Sequence, residues 1–543
     1  MRKLVIVALA LSVFFVFALA KSTYIDIGKF EKEEIHLCSS DEDIPLGEVA
    51  PLEPDKSTKI LSQAYAHYIR GILYDSEKKI DQAIEEYKAA QSLDPDVPIV
   101  HKRLAIDYLR AGRYSEAEEQ LVVVKELSPG DVSVRGFLAD FYTVQKKFDQ
   151  ACVEYEEILK IKPDDLESLA SLADLYVIQE RFDEAIEVYK KIIEQKPDSA
   201  QVHFNLGIIY TRIDNIEEAE RQFKIALDIE PEYLQAELAL ALINEINQNL
   251  PEAIKHYEAA LKTDPLNVNV YHRLAQTYYR DNRIEDAVNQ YKFILKLNPY
   301  DIDAYVGVAY IYLNEKRLDE CIGILEEALT HKENWRQSLD SELVSVDKIK
   351  KLQDVKEAQI YLLLGLSYAQ SDKTDEAIEA YNKAIEAEPE GSIGYFYLGA
   401  IYERIGRRQE AYEALKKSVE LDNANPDALN YLGYMYSEDG INLDQAQELI
   451  EEALEMDPEN GAYIDSLGWV YFKKGMVDEA LVEIKRASEL LEDAEILEHL
   501  GDIYQVQGEY QKAREAWEAA LELEPERQTA QEKINNLKRK GKK

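Results

Sequence analysis

The sequence predicts an all-α chain, a solenoid of about thirteen helix–turn–helix repeats of about 34 residues each. Three observations predict it. Seven prolines recur 34 residues apart, at Pro95, Pro129, Pro163, Pro197, Pro231, Pro265 and Pro299, and a fixed period of that size marks a repeat array. One column of small residues and one of tyrosines keep step with the prolines. Apolar residues fall at i, i+3, i+4 and i+7 twice per repeat, which describes a pair of amphipathic helices.

Size and composition agree with this class. A chain of 543 residues outgrows a single core unless the core lengthens with the chain, as it does in a solenoid. The 36 tyrosines, against 22 glycines and 16 prolines, mark a folded chain. With 63 basic and 105 acidic residues the net charge is −42, which repels phosphate backbones and excludes nucleic acid as a partner. Cys38, Cys152 and Cys321 match no metal or redox spacing. Cys321 stands in a column that is otherwise alanine and reads as a small packed hydrophobe.

Taken in order, the chain opens with an address. Arg2 and Lys3 precede an apolar run from Leu4 to Ala20 that ends Ala18-Leu19-Ala20. This predicts a signal peptide over residues 1–20, cleaved after Ala20. The alternative is an inner-membrane anchor at residues 4–20, since that run sits at the lower edge of a spanning helix. The expected location is the periplasm or the cell envelope. Residues 21–63 contain Pro45, Pro51 and Pro54 without a helical period and read as an extended linker.

Repeats one to eight follow at 64–335 and repeats nine to thirteen at 358–525. With the recurring proline set at position 32, position 8 holds only glycine or alanine, as in Gly71, Ala105, Gly207, Gly365 and Gly501. Position 20 is alanine in every repeat except for Cys321, from Ala83 to Ala513. The two small columns predict the tight crossing of an antiparallel hairpin. Position 11 is tyrosine from Tyr74 to Tyr504 with Asn244 the exception, a ring large enough to fill the gap between neighbouring hairpins. Position 24 is large, as in Tyr155, Tyr189, Phe223, Tyr257 and Trp517. The insertion at 336–357 spaces Leu339, Leu343, Val346, Ile349 and Leu352 three or four apart. It predicts an extra or extended amphipathic helix that splits the stack into eight and five repeats. Residues 526–543 are polar, end in a basic run from Lys538 to Lys543, and read as a capping helix with a basic tail.

These columns resemble the tetratricopeptide repeat; Leu206, Gly207, Tyr210, Ala219, Phe223 and Pro231 show the pattern in one repeat. The resemblance implies a right-handed superhelix whose first helices line an inner groove, with positions 2, 5, 6, 9, 12 and 13 facing it. The family's clamp for acidic C-terminal peptides is not matched. Lys102 holds one of its positions, but Ile106, Phe137, Glu167 and Ser171 fill the others. In the first half the groove positions are polar, with Asp140, Asp174, Arg212, His272, Gln276 and Arg280. In the second half they carry Phe396, Tyr397, Tyr431, Tyr434, Trp469 and Phe472, flanked by Arg404, Asn430, Asp465 and Lys473.

An aromatic patch with a polar rim has the composition of a protein-binding hot spot, and these ten residues form the candidate partner site. The competing reading packs the same rings between tightly wound repeats. On the hot-spot reading, Trp469→Ala weakens partner capture with melting nearly unchanged. His67, His101 and His203 share position 4 and read as helix-face packers. No His-Glu-x-x-His, phosphate loop or paired-Cys spacing occurs, so no catalytic, cofactor or metal site is expected. The expected function is a non-catalytic scaffold or adaptor of the cell envelope that binds proteins or peptides. The alternative is a regulatory or substrate-presenting subunit of an envelope polysaccharide or peptidoglycan enzyme complex. Membrane attachment through the N-terminus and self-association through the end repeats complete the partner expectations.

Overall fold

Helices begin where the proline register puts position 1. The computed structural model describes residues 56–335 and 346–540, and among them every regular element is a helix. They group into two compact units, Met1–Asp281 and Asn282–Lys543. In the first unit, the first helices of successive repeats open at Pro98, Val132, Leu166, Ala200, Leu234 and Val268. Each packs on the second helix of the repeat before it, and those opening at Pro98, Val132, Leu166, Ala200 and Leu234 pack on their own second helix as well. Asp131, Asp165 and Asn267 cap these helices, their side chains accepting backbone N–H groups of the first turn.

The recurring proline lies in the turn after each second helix, and its carbonyl is caught from position 4 of the next repeat. His101 Nε2 lies 2.7 Å from the Pro95 carbonyl, His203 Nε2 lies 3.1 Å from that of Pro197, and Arg135 Nε donates to that of Pro129 at 3.3 Å. The other ring nitrogens of the two histidines meet Gln120 and Gln222, both at 2.8 Å. These histidines therefore tie the inter-repeat turn to the helix below it, a more specific task than packing.

The turn inside each hairpin follows one rule that the residue types conceal. Position 15 adopts the left-handed conformation, at Lys146 (φ 58°), Glu180 (φ 58°), Asp214 (φ 65°) and Lys316 (φ 57°) as at Gly112 (φ 70°) and Gly475 (φ 80°). The next N–H reaches back to the position-11 carbonyl, as Arg181 does to Tyr176 at 2.8 Å, which closes a Schellman motif and stops the first helix. The same side chain then covers the tyrosine ring. Arg113, Arg181, Arg317 and Arg407 lie 4.3–4.6 Å from the centroids of Tyr108, Tyr176, Tyr312 and Tyr402. Tyrosine hydroxyls of this column also bridge hairpins, Tyr176 donating to Glu156 at 2.6 Å and Tyr368 to Glu326 at 3.0 Å.

The glycines of position 8 serve the large residue of position 24. A Cβ on Gly207 would stand 2.6 Å from Phe223, one on Gly365 2.3 Å from Tyr381, and one on Gly501 2.3 Å from Trp517. At these three repeats the close approach is glycine against ring, while at Gly433 and Gly399 the expected partner is met as well, a Cβ there standing 2.9 Å from the Ala446 carbonyl and 3.3 Å from that of Ala411, both at position 20. Cys321 and Cys152 are buried, and burial pushes both thiols up, Cys152 to about 11.

Two boundaries differ from expectation. The first described helix starts at Lys56, inside the predicted 21–63 linker, because residues 56–63 hold no proline or glycine to stop a helix running back from the first repeat. In the second unit the insertion does not split the stack. Of its residues, 336–345 with Leu339 and Leu343 lie outside the described ones, and the remainder runs into the ninth repeat as one 25-residue helix, Val346–Gln370. That helix packs on Leu318–Thr330 of the eighth repeat, with Ser367 Oγ 3.1 Å from Cys321 Sγ and Lys332 paired with Glu357. Helix Gln528–Lys540 then covers the end of the thirteenth repeat, burying Ala530 and Ile534 beside Trp517.

Candidate partner-binding surface

The ten candidate residues lie on the first helices of repeats ten to twelve, Ser392–Arg404, Pro426–Asp439 and Gly461–Lys473. These helices are apolar on more than one side because each meets its own second helix, the preceding repeat and its neighbouring first helices. The structure divides the ten into two groups.

The first group joins repeats ten and eleven. Phe396 meets Tyr431 edge-on at 6.0 Å and Tyr397 at 5.3 Å, and Tyr397 stacks on Tyr381 at 5.7 Å. All of the group's named rings except Tyr381 are half-buried. The Tyr431 hydroxyl donates to Glu403 at 3.3 Å, and burial followed by that carboxylate pushes the phenol up to about 12. Arg404 is exposed and donates to the Ala369 carbonyl at 3.1 Å. The Asn430 side-chain oxygen is buried with no hydrogen-bond partner.

The second group is a packed plug. Trp469 is only 6% exposed and lies between Phe472, stacked at 4.9 Å, and His499, stacked at 3.8 Å. Its Nε1 donates to Glu438, and Lys473 Nζ sits 4.9 Å over the indole while donating to the Glu438 carbonyl. Asp465, also buried, accepts from His499 Nδ1 at 3.0 Å. Tyr434 donates to Glu495 of the thirteenth repeat. Burial of His499 opposes its charge, but the Asp465 carboxylate, with Glu495 and Asp502 further off, outweighs it and raises the imidazole above its ordinary value.

Trp469 and Asp465 are therefore core residues, and the expectation that Trp469→Ala spares stability is corrected. Repeats eleven to thirteen wind tightly enough for ring to meet ring. The sequence reading missed His499. Its only signal was its place at position 6 of repeat thirteen, which faces positions 5 and 9 of the repeat before.

In the first compact unit three of the polar groove residues are paired within the chain. Asp140 and Asp174 accept the hydroxyls of Tyr155 and Tyr189 at 2.6 and 3.0 Å, and Arg280 binds Glu245 at 2.9 Å and Gln248 at 3.0 Å. No described cluster of His, Cys, Asp and Glu is arranged to hold a metal ion.

Stacked helical hairpins, a left-handed residue in each turn and side chains that bind each repeat to the next define an α-solenoid of interaction-scaffold type. The chain belongs to the tetratricopeptide repeat family. Models described as tetratricopeptide repeat match residues 76–140, 200–233, 272–337, 362–436 and 494–527, and a further one described as TPR repeat matches 173–214 and 246–282. No curated protein matches it. Among solved structures it is similar to the APC/C hetero-tetramer Cut9–Hcn1, with a TM-score of 0.40 and 15% identity over 89% of this chain and 96% of that one. Yeast Tom70 aligns with a TM-score of 0.36 and 17% identity over 87% of this chain and 99% of that one. A thermophilic TPR protein of Thermus thermophilus aligns with 0.30 and 21% over 33% and 98%.

Proposed function

We propose that this chain is an exported, non-catalytic scaffold of the cell envelope that holds partner proteins or peptides against the first-helix faces of its repeats. The observation that carries the reading is the half-buried ring group Phe396, Tyr397 and Tyr431, set beside the exposed Arg404. Partly exposed rings next to a charged rim are the usual anchors of a protein interface. A rigid stack also presents a large area with little ordering cost on binding. The Leu4–Ala20 run supports export, and no described helix is long and apolar enough to cross a membrane.

The test is crosslinking and affinity capture from envelope preparations with Phe396→Ala and Tyr431→Ala chains. Exchange-protected helices in both variants with loss of the same partners support the reading. Unchanged capture by both refutes the site, and a purely cytoplasmic chain in fractionated cells refutes the envelope assignment.

A further inference from the structure

The first helix, Lys56–Ser76, leaves an apolar stripe in the open. Leu61 is 51% exposed, Tyr65 66%, Ile69 39% and Leu73 56%. Their spacing of four places them in one ridge along the helix. Arg70, to one side of Leu73, is already held by Glu86 of the second helix at 2.9 Å, and Lys59 falls on the far side of the helix from Leu61. The helix as a whole carries Lys56, Lys59 and Arg70 against one acid, Asp75, in a chain whose net charge is −42.

Interior repeats show what such a face takes. Each first helix there is covered by the second helix of the preceding repeat, and the position-11 hydroxyl meets a glutamate on it, as with Tyr176 and Glu156 or Tyr278 and Glu258. Tyr74 holds that position in the first repeat. The matching occupant is therefore apolar on one side and acidic beside it.

The chain carries such a segment immediately upstream, among residues 1–55 that lie outside the described ones. Residues 24–37 combine Tyr24, Ile25, Ile27, Phe30, Ile35 and Leu37 with the acids Asp26, Glu31, Glu33 and Glu34. Eighteen residues lie between Leu37 and Lys56, a tether whose typical span is about 25 Å beside a helix about 31 Å long. Such a tether raises the local concentration to about the millimolar range.

We propose that residues 24–37 dock on the Leu61–Tyr65–Ile69–Leu73 ridge and close the first end of the array, as helix Gln528–Lys540 closes the last. Tyr74, whose counterparts in interior repeats donate to a glutamate, selects the acidic flank, and the groove open to partners then begins beyond the first repeat.

Native Cys38, one residue past the segment, supplies the test, because Cys152 and Cys321 are buried. The full-length chain carrying Tyr65→Cys is treated with a short bismaleimide and compared with Glu85→Cys, a site 75% exposed on the second helix of the same hairpin. Intramolecular coupling at residue 65 at least tenfold faster than at 85, falling to the residue-85 rate when Phe30→Asp is added, is expected. Equal rates at the two sites, or insensitivity to Phe30→Asp, overturn the proposal. Crosslinked dimers in place of the intramolecular product also overturn it, and assign the ridge to a second copy.

Discussion

Replacing Trp469 by alanine removes the centre of the plug between repeats eleven and thirteen. The indole is 6% exposed and is stacked on Phe472 and His499. Truncating a buried aromatic side chain costs about 3–5 kcal/mol, and each lost ring pair adds about 0.5–1.5 kcal/mol beyond area. A loss of about 4 kcal/mol is a factor of about a thousand in the local opening equilibrium. Repeats feel their neighbours and little else, so the loss stays local. Hydrogen exchange resolved by peptide is the suitable assay. Amides of Gly461–Lys473 and Ala494–Val506 are expected to exchange up to a thousandfold faster, limited by the opening of those repeats as a block, while Val132–Val144 and Leu166–Ile178 keep their protection. Unchanged exchange throughout, combined with weaker partner capture, would refute the packing argument and restore Trp469 as a contact residue.

Other perturbations follow from the same geometry. Gly207→Ala places a methyl 2.6 Å from Phe223 and is expected to cost about 1–3 kcal/mol by denaturant titration; adding Phe223→Leu should recover part, since Ala105 with Leu121 already uses that combination. Glu180→Gly relieves a left-handed residue at φ 58° and should raise stability by about 0.5–1 kcal/mol, whereas a lower melting point would contradict the turn assignment. The C-terminal repeats should be most stable between about pH 4.5 and 6.5. Burial alone would raise the Glu498 carboxyl, but Lys533, Arg527 and Thr529 hold it down at about 2, so its contribution is present above 4.5 and lost as pH falls towards 2. His499 is raised above 6.5, so its contribution is present below that value and lost as pH climbs through the raised one. Melting against pH in Glu498→Gln should lose the acid limb and in His499→Gln the alkaline limb; a wild-type-like profile in either would count against the corresponding pairing.

Repeat boundaries were legible because they rest on residues that cannot be replaced freely: a proline that ends a helix, a glycine under a ring. Helix starts at Val132, Leu166 and Ala200 fall on the register that the prolines set. The left-handed column at position 15 was not legible, since Lys146, Glu180, Asp214 and Gln248 share a backbone angle and no side-chain chemistry. The candidate site was half legible. Periodicity placed its ten residues on the right helices, but it carries no information on how closely successive repeats wind, and that distance decides whether Tyr397 meets solvent and Trp469 meets His499. The insertion was half legible for a related reason. Spacing indicated a helix, while only the contact of Ser367 with Cys321 reveals that the helix continues the stack.

The hydrogen bond from Tyr434 to Glu495 skips a repeat, joining the eleventh directly to the thirteenth. Under mechanical load a stack held by adjacent contacts unravels hairpin by hairpin, each release lengthening the tether by about 34 residues of chain, roughly 110–120 Å. Repeats eleven to thirteen, strapped across their middle member, should instead give way in a single longer step.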